Sequence, residues 1–191
     1  MCYSSYGAFF GSEREIMGKF IVGFIIGIIV IPLGVLWYVK SGKVPVAATA
    51  KPMPFEAYLA QAGLHATAER EAPKRELSSF TAADLAAGAT VYLNNCAGCH
   101  GLPNHPPSQM AAAMFPHAPQ FFTPEGSMTD DPVGESYWKV KNGIRLSGMP
   151  SFEKLLSDQQ MWQAAAIIAG ADKLPPAALQ VLKNQPASSK P

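Results

Sequence analysis

The sequence predicts an all-α protein: helices and long loops behind one N-terminal membrane-spanning helix. Three observations lead there. Phe20 to Val39 is an uncharged apolar run of twenty residues. From Thr81 onward, helix caps and apolar spacings of i, i+3, i+4 and i+7 recur, without the alternation of strands. Between two such helical stretches, the string Cys96-Ala97-Gly98-Cys99-His100 opens a proline-rich loop.

The apolar run reads FIVGFIIGIIVIPLGVLWYV. At about 1.5 Å per residue it spans about 30 Å as a helix, the hydrocarbon thickness of a bilayer. Gly23, Gly27, Gly34 and Pro32 would weaken a helix in water, but lipid offers the backbone no better partner than itself. Trp37 and Tyr38 stand at its end, where amphipathic rings favour the interface. A cleaved signal peptide is the alternative, with Ala48-Thr49-Ala50 as a small-residue cleavage site. The run exceeds the usual apolar region of about 7–15 residues, and Lys40 and Lys43 separate it from that site, so an uncleaved anchor is expected. Arg14 and Lys19 before it balance Lys40 and Lys43 after it, so the charge rule gives no orientation. Met17 is a second possible start.

The 191 residues carry a net charge of +1, which gives no general attraction to nucleic acid. Three cysteines cannot build a disulfide framework. Residues 41–80 are rich in Ala, Pro and charge and read as a loosely ordered spacer. A flexible stretch of forty residues reaches roughly 35 Å. A short helix over Pro54–Glu71 is the alternative, with Phe55, Tyr58, Leu59 and Ala62 on one face.

Thr81 and Asp84 form a capping box that starts a helix. Leu85, Gly88, Ala89 and Tyr92 then share one face. Gly88 costs about 1 kcal/mol relative to Ala in mid-helix, which close contact with a bulky side chain would offset. The C-x-x-C-H string that follows is the attachment signature of c-type haem. Two thiols one turn apart can both form thioethers with the porphyrin, and the next residue directs an imidazole at the iron. A thioredoxin-like site would need a βαβ context. A zinc site would need a second ligand pair, and His105 and His117 stand too far apart.

A single histidine leaves the other iron face open. Met110, Met114, Met128, Met149, Met161, His105 and His117 are the candidates, and Met149 is preferred. It follows a predicted helix from Val133 to Asn142 ending at Gly143. Gly148 frees the backbone and Pro150 fixes it, so the thioether is presented from a defined loop. A thioether paired with histidine raises the reduction potential. His117 is the best alternative. The loop from Gly101 to Pro132 holds seven prolines, and a carbonyl of Pro103, Pro106 or Pro107 is expected to take the Nδ1 proton of His100. Ser157 and Gln160 then cap a helix running to about Ala171, with Trp162, Ala165, Ala166 and Ala169 on one face.

GATVYLNNCAGCHG (Gly88–Gly101), KNGIRLSGMPSF (Lys141–Phe152) and SDQQMW (Ser157–Trp162) together resemble the class I cytochrome c family, most of all its bacterial, membrane-anchored, single-haem members. The resemblance covers roughly residues 80–175. It implies a fold in which three or more helices and long loops wrap one covalent haem c. It implies Cys96 and Cys99 as attachment points, and His100 and Met149 as axial ligands. It also implies that the two terminal helices cross, with Trp162 opposite Gly88.

The expected organisation is a cytoplasmic N-terminus (1–19), an anchor in the lipid bilayer (20–39), a linker (40–79), the cytochrome domain (80–176) and a C-terminal tail (177–191), disordered from Asn184. Haem attachment in this family is extracytoplasmic, which places the domain on the periplasmic side of the inner membrane. The expected role is an electron carrier, not an enzyme. It would pass single electrons between membrane-bound redox proteins of a respiratory or similar chain, without nucleic acid. An electron-entry subunit of a larger oxidoreductase is the alternative, and an open-site haem enzyme or gas sensor a more remote one. From Thr81 the chain carries eight acids and seven bases. Lys139, Lys141 and Arg145 beside the Met149 loop form either a docking rim or an ordinary solvated face.

Overall fold

The structure is a computed structural model and describes residues 6–123 and 131–184. The described residues are helical, with no strand. They fall into two units, residues 1–46 and 47–191.

The first unit is α1, Tyr6–Lys40. Its segment Glu15–Lys40 is long and apolar enough to cross a membrane. The helix begins well before the predicted apolar run, and Pro32 lies within it. At its end Lys43 lies 5.5 Å over the Trp37 ring, and the Tyr38 hydroxyl donates to the Lys43 carbonyl at 3.4 Å.

The second unit is built on α3 (Ala82–Asn95), α6 (Val133–Asn142), α7 (Asp158–Ala169) and α8 (Pro176–Lys183). The capping box on α3 is formed: the Asp84 N–H donates to Thr81 Oγ1, and the Thr81 N–H to the Asp84 carboxylate, each at 3.1 Å. The Ser157 and Gln160 box starts α7 in the same way, at 3.3 and 2.9 Å. α6 has the predicted bounds and stops at Gly143, whose φ of 68° suits glycine.

α3 packs on α7 and α8, and α6 on α7. At Gly88, α3 lies directly against α7. A Cβ there would lie 2.4 Å from the Gln163 carbonyl oxygen and 3.1 Å from Ile167 Cγ1. The neighbours of Gly88 are therefore the α7 backbone at Gln163 and, as expected, a bulky side chain of the facing helix, Ile167. Alanines 164, 165, 166 and 169 keep the facing helix thin. Trp162 stacks instead on Tyr137 of α6, with centroids 4.0 Å apart and planes 15° apart.

Two stretches read as spacer and tail are ordered parts of this unit. α2 (Glu56–Glu71) packs on α6 through its C-terminal half. Ala68 is 0 % exposed, and Trp138 Nε1 donates to the Glu71 carboxylate at 3.1 Å. Arg70 and Trp138 together hold the Glu71 carboxyl below the usual range. A Cβ on Gly134 would lie 2.0 Å from the Pro73 carbonyl oxygen. The spacer preference is thus corrected: partners more than sixty residues away make the helix. Fourteen residues lie between Lys40 and Phe55, and turns at Trp37–Gly42 and Ala47–Ala50 occupy part of them. Residues 177–183, read as tail, lie in α8, which buries Ala178 and Leu182. The predicted disorder beyond Asn184 falls on residues outside the described ones.

Gly88→Ala should destabilise the domain by about 1–3 kcal/mol through overpacking, lowering the melting temperature by roughly 5–15 °C. An unchanged melting temperature would contradict the close crossing. Gly134→Ala should push residues 72–73 off α6. Hydrogen exchange should then quicken across Glu56–Glu71 while α3 and α7 keep their protection; equal exchange in both proteins would show that α2 is not held there.

Candidate haem site

Helix α3 does not run cleanly into the motif. Cys96 adopts φ −118° and ψ −38° and serves both as the C-cap of α3 and as the N-cap of the short turn α4, Ala97–His100. The Cys96 N–H donates to the Tyr92 carbonyl at 2.8 Å, and its carbonyl accepts from Cys99 at 3.1 Å and His100 at 2.9 Å. One helical turn thus holds both sulfurs and the imidazole. Cys96 is buried and Cys99 half-buried. Burial, reinforced by Cys99, pushes the Cys96 thiol up to about 12, so it stays protonated at neutral pH.

The His100 ring is half-buried. Its Nδ1 lies 2.9 Å from the Pro119 carbonyl, and burial pushes its pKa below the ordinary histidine value. A neutral ring that donates from Nδ1 keeps the Nε2 lone pair for a metal. Phe121 stacks on the ring at 4.7 Å and 14°. The expected acceptors Pro103, Pro106 and Pro107 are thereby corrected to Pro119. The reason lies in the loop's return path. Gln120 Nε2 donates to the Cys99 carbonyl at 2.8 Å, and the Phe121 N–H to the His100 carbonyl at 3.3 Å. Those bonds lay residues 119–121 along the motif, while Pro103 accepts from His105 instead. Gly101, at φ 79°, leaves room for this: a Cβ there would meet Gln120 Oε1 at 2.5 Å. The Tyr92 hydroxyl donates to the Gly101 carbonyl at 2.9 Å and ties the turn back to α3.

The early loop contains α5, Gln109–Ala113, which sequence reading missed. Ser108 was its signal: the Oγ accepts from the Ala111 N–H at 3.1 Å and donates to the Gly98 carbonyl at 2.6 Å. α5 delivers Met114 to the far loop, where a Cβ on Gly148 would lie 2.1 Å from Met114 Cε.

Met149 is half-buried against the core. Its N–H donates to Ser147 Oγ at 3.1 Å, and its carbonyl accepts from the Ile144 N–H at 3.1 Å. Gly143 must be glycine for a second reason, since a Cβ would lie 2.6 Å from Pro150 C and Ser151 N. Leu146, in the same loop, takes φ 60° and is 95 % exposed. A non-glycine residue in that conformation is strained, a common mark of functional loops.

Of the other ligand candidates, Met114 is half-buried like Met149 and presses on Gly148, and the rest separate by burial. Met161 is locked in the core, Met110 is exposed, and His105 and His117 lie at the surface. Met128 and Pro124 fall outside the described residues. A further group, His65, Asp131 and Glu135, has possible ligand atoms within 4.8 Å of one another. The Lys139 ammonium bonds Asp131 and lies 3.9 Å from Glu135, so the chain itself already balances those carboxylates.

The donor set fits a covalently held haem. Two thiols share one turn, a neutral imidazole has its second nitrogen occupied, and a thioether stands on a pinned loop. Lys139 belongs to the acidic cluster and Lys141 pairs with Glu153 at 3.7 Å, which leaves Arg145 as the exposed cation of the proposed rim.

Comparison with known proteins agrees. Residues 83–168 match the family model described as cytochrome c oxidase, cbb3-type, subunit III. Neither the curated proteins nor the solved structures gave a significant match. The matched segment begins in α3 and ends in α7, and it contains the whole C-x-x-C-H turn and the Met149 loop. Residues 83–168 are thus similar to a c-type cytochrome domain, and the all-helical fold around them is consistent with the class I kind.

Proposed function

We propose that the protein is a membrane-anchored, single-haem electron carrier, with Cys96 and Cys99 as thioether attachment points and His100 and Met149 as axial ligands. The observation that carries this is the His100 ring. It is oriented through the Pro119 carbonyl and presented by the same turn as the two sulfurs. Bound haem supplies a one-electron iron couple. The chain's own residues do the rest. Pro119 and Phe121 fix the imidazole plane. Ser147 and Ile144 fix the backbone that carries the Met149 thioether, a soft donor that favours Fe(II) and so raises the potential. The Ala-rich α3/α7 crossing closes the core behind them.

The anchor is α1, with the haem domain on the extracytoplasmic side of the inner membrane and partners among membrane-bound redox proteins. A second reading makes the chain an electron-entry subunit of a larger membrane oxidoreductase. The description of the matching family, an oxidase subunit, favours it, and so does the short tether. Mild detergent extraction separates the two: a stoichiometric complex supports the subunit, and a free chain the carrier.

Protein made in a cell competent for haem attachment should be heavier than its polypeptide by one haem and show a Soret band that survives denaturation. A mass equal to the bare chain would end the proposal. Met149→Ala should abolish the sulfur–iron absorption band of the oxidised protein, lower the potential and make the reduced form bind carbon monoxide. An unchanged band would remove Met149 as ligand. A high-spin wild type that already binds carbon monoxide would favour the open-site enzyme or sensor.

A further inference from the structure

α2 has two halves with different surroundings. Its C-terminal half packs on α6, whereas residues 57–63 are exposed throughout. The free half carries three large apolar side chains: Phe55 at its start is 75 % exposed, Tyr58 70 % and Leu59 65 %. Spacings of three and four put them on one face. Met53 and Val46 add exposed apolar surface just before it.

We infer that this free half of α2 is a membrane-surface contact, lying in the interface of the bilayer that α1 crosses. The inference rests on the anchor reading above, and three observations select a lipid occupant over a protein. The first is connection: fourteen residues join Lys40 to Phe55, at most about 50 Å of extended chain. Turns at Trp37–Gly42 and Ala47–Ala50 shorten it. The second is residue type, because Phe, Tyr and Leu on a short exposed helix suit the headgroup–acyl boundary. Trp37 and Tyr38 already mark that boundary at the end of α1. The third is charge: Lys40, Lys43 and Lys51 outnumber the single acid, Glu56, between residues 40 and 59. Anionic headgroups complement that stretch.

The test uses the full haem-loaded chain with Cys2→Ser, in nanodiscs of phosphatidylethanolamine and phosphatidylglycerol. A nitroxide is placed in turn at Val30→Cys, Tyr58→Cys and Glu69→Cys, and its accessibility to oxygen and to a water-soluble nickel chelate is read by power saturation. The expected result is nickel shielding at 30 and 58, with accessibility several-fold lower than at 69. Adding Phe55→Ser and Leu59→Ser to the Tyr58 label should restore nickel access while the visible spectrum stays the same. Shielding at 30 with free nickel access at 58 overturns the inference and leaves the anchor intact. Nickel access at 30 removes the anchor and this inference with it. Shielding at 58 that survives the two serine substitutions assigns it to a protein contact and also overturns the inference.

Discussion

The hydrogen bond between His100 Nδ1 and the Pro119 carbonyl organises the rest of this domain. It joins residues nineteen apart across a loop that has almost no regular structure of its own. To make it, the chain must fold back along the C-x-x-C-H turn, and the Gln120 and Phe121 bonds to the carbonyls of Cys99 and His100 hold it there. The prolines stiffen the path, and Gly101 admits the returning strand of chain where a side chain would collide. A ring oriented in this way has one tautomer and one free nitrogen, which an axial ligand requires.

The Met149 loop is fastened by different means. No long return path is available to residues 144–151, so local bonds do the work. Ser147 serves both Ile144 and the Met149 N–H, and the Met149 carbonyl closes the turn on Ile144. Gly143 lets this closed loop sit directly on the end of α6, and Gly148 lets Met114 press on it from α5. The C-x-x-C-H turn and the Met149 loop thus both pack against one core, in which Gly88 lies against the backbone of α7.

Short-range signals were legible in the sequence. The Thr81 and Ser157 capping boxes and the Gly143 stop each depend on residues within a few positions, and each forms where it was read. What escaped depends on distant partners. Nothing near Pro119 distinguishes it from six other prolines in its loop; only the Gln120 bond to Cys99 does. α2 looked like spacer because its packing surface is completed by Gly134 and Trp138, which lie far along the chain. α8 hides in a short Pro- and Ala-rich stretch whose two buried residues make sense only against α3. Trp162 was assigned to Gly88 by resemblance, yet the glycine meets a carbonyl and the ring meets Tyr137.

The docking of α2 also changes how encounters would be counted. A domain on a tether of some forty residues samples a wide volume and must find each partner by diffusion. In the proposed membrane-anchored carrier, the fourteen residues between Lys40 and Phe55 would keep a partner in the same bilayer close at hand, and short linkers give effective concentrations in the millimolar range. Such proximity relaxes the demand on intrinsic affinity. A weak, rapidly dissociating contact around the Met149 loop would still be occupied often enough to keep electrons moving, and release would not limit turnover.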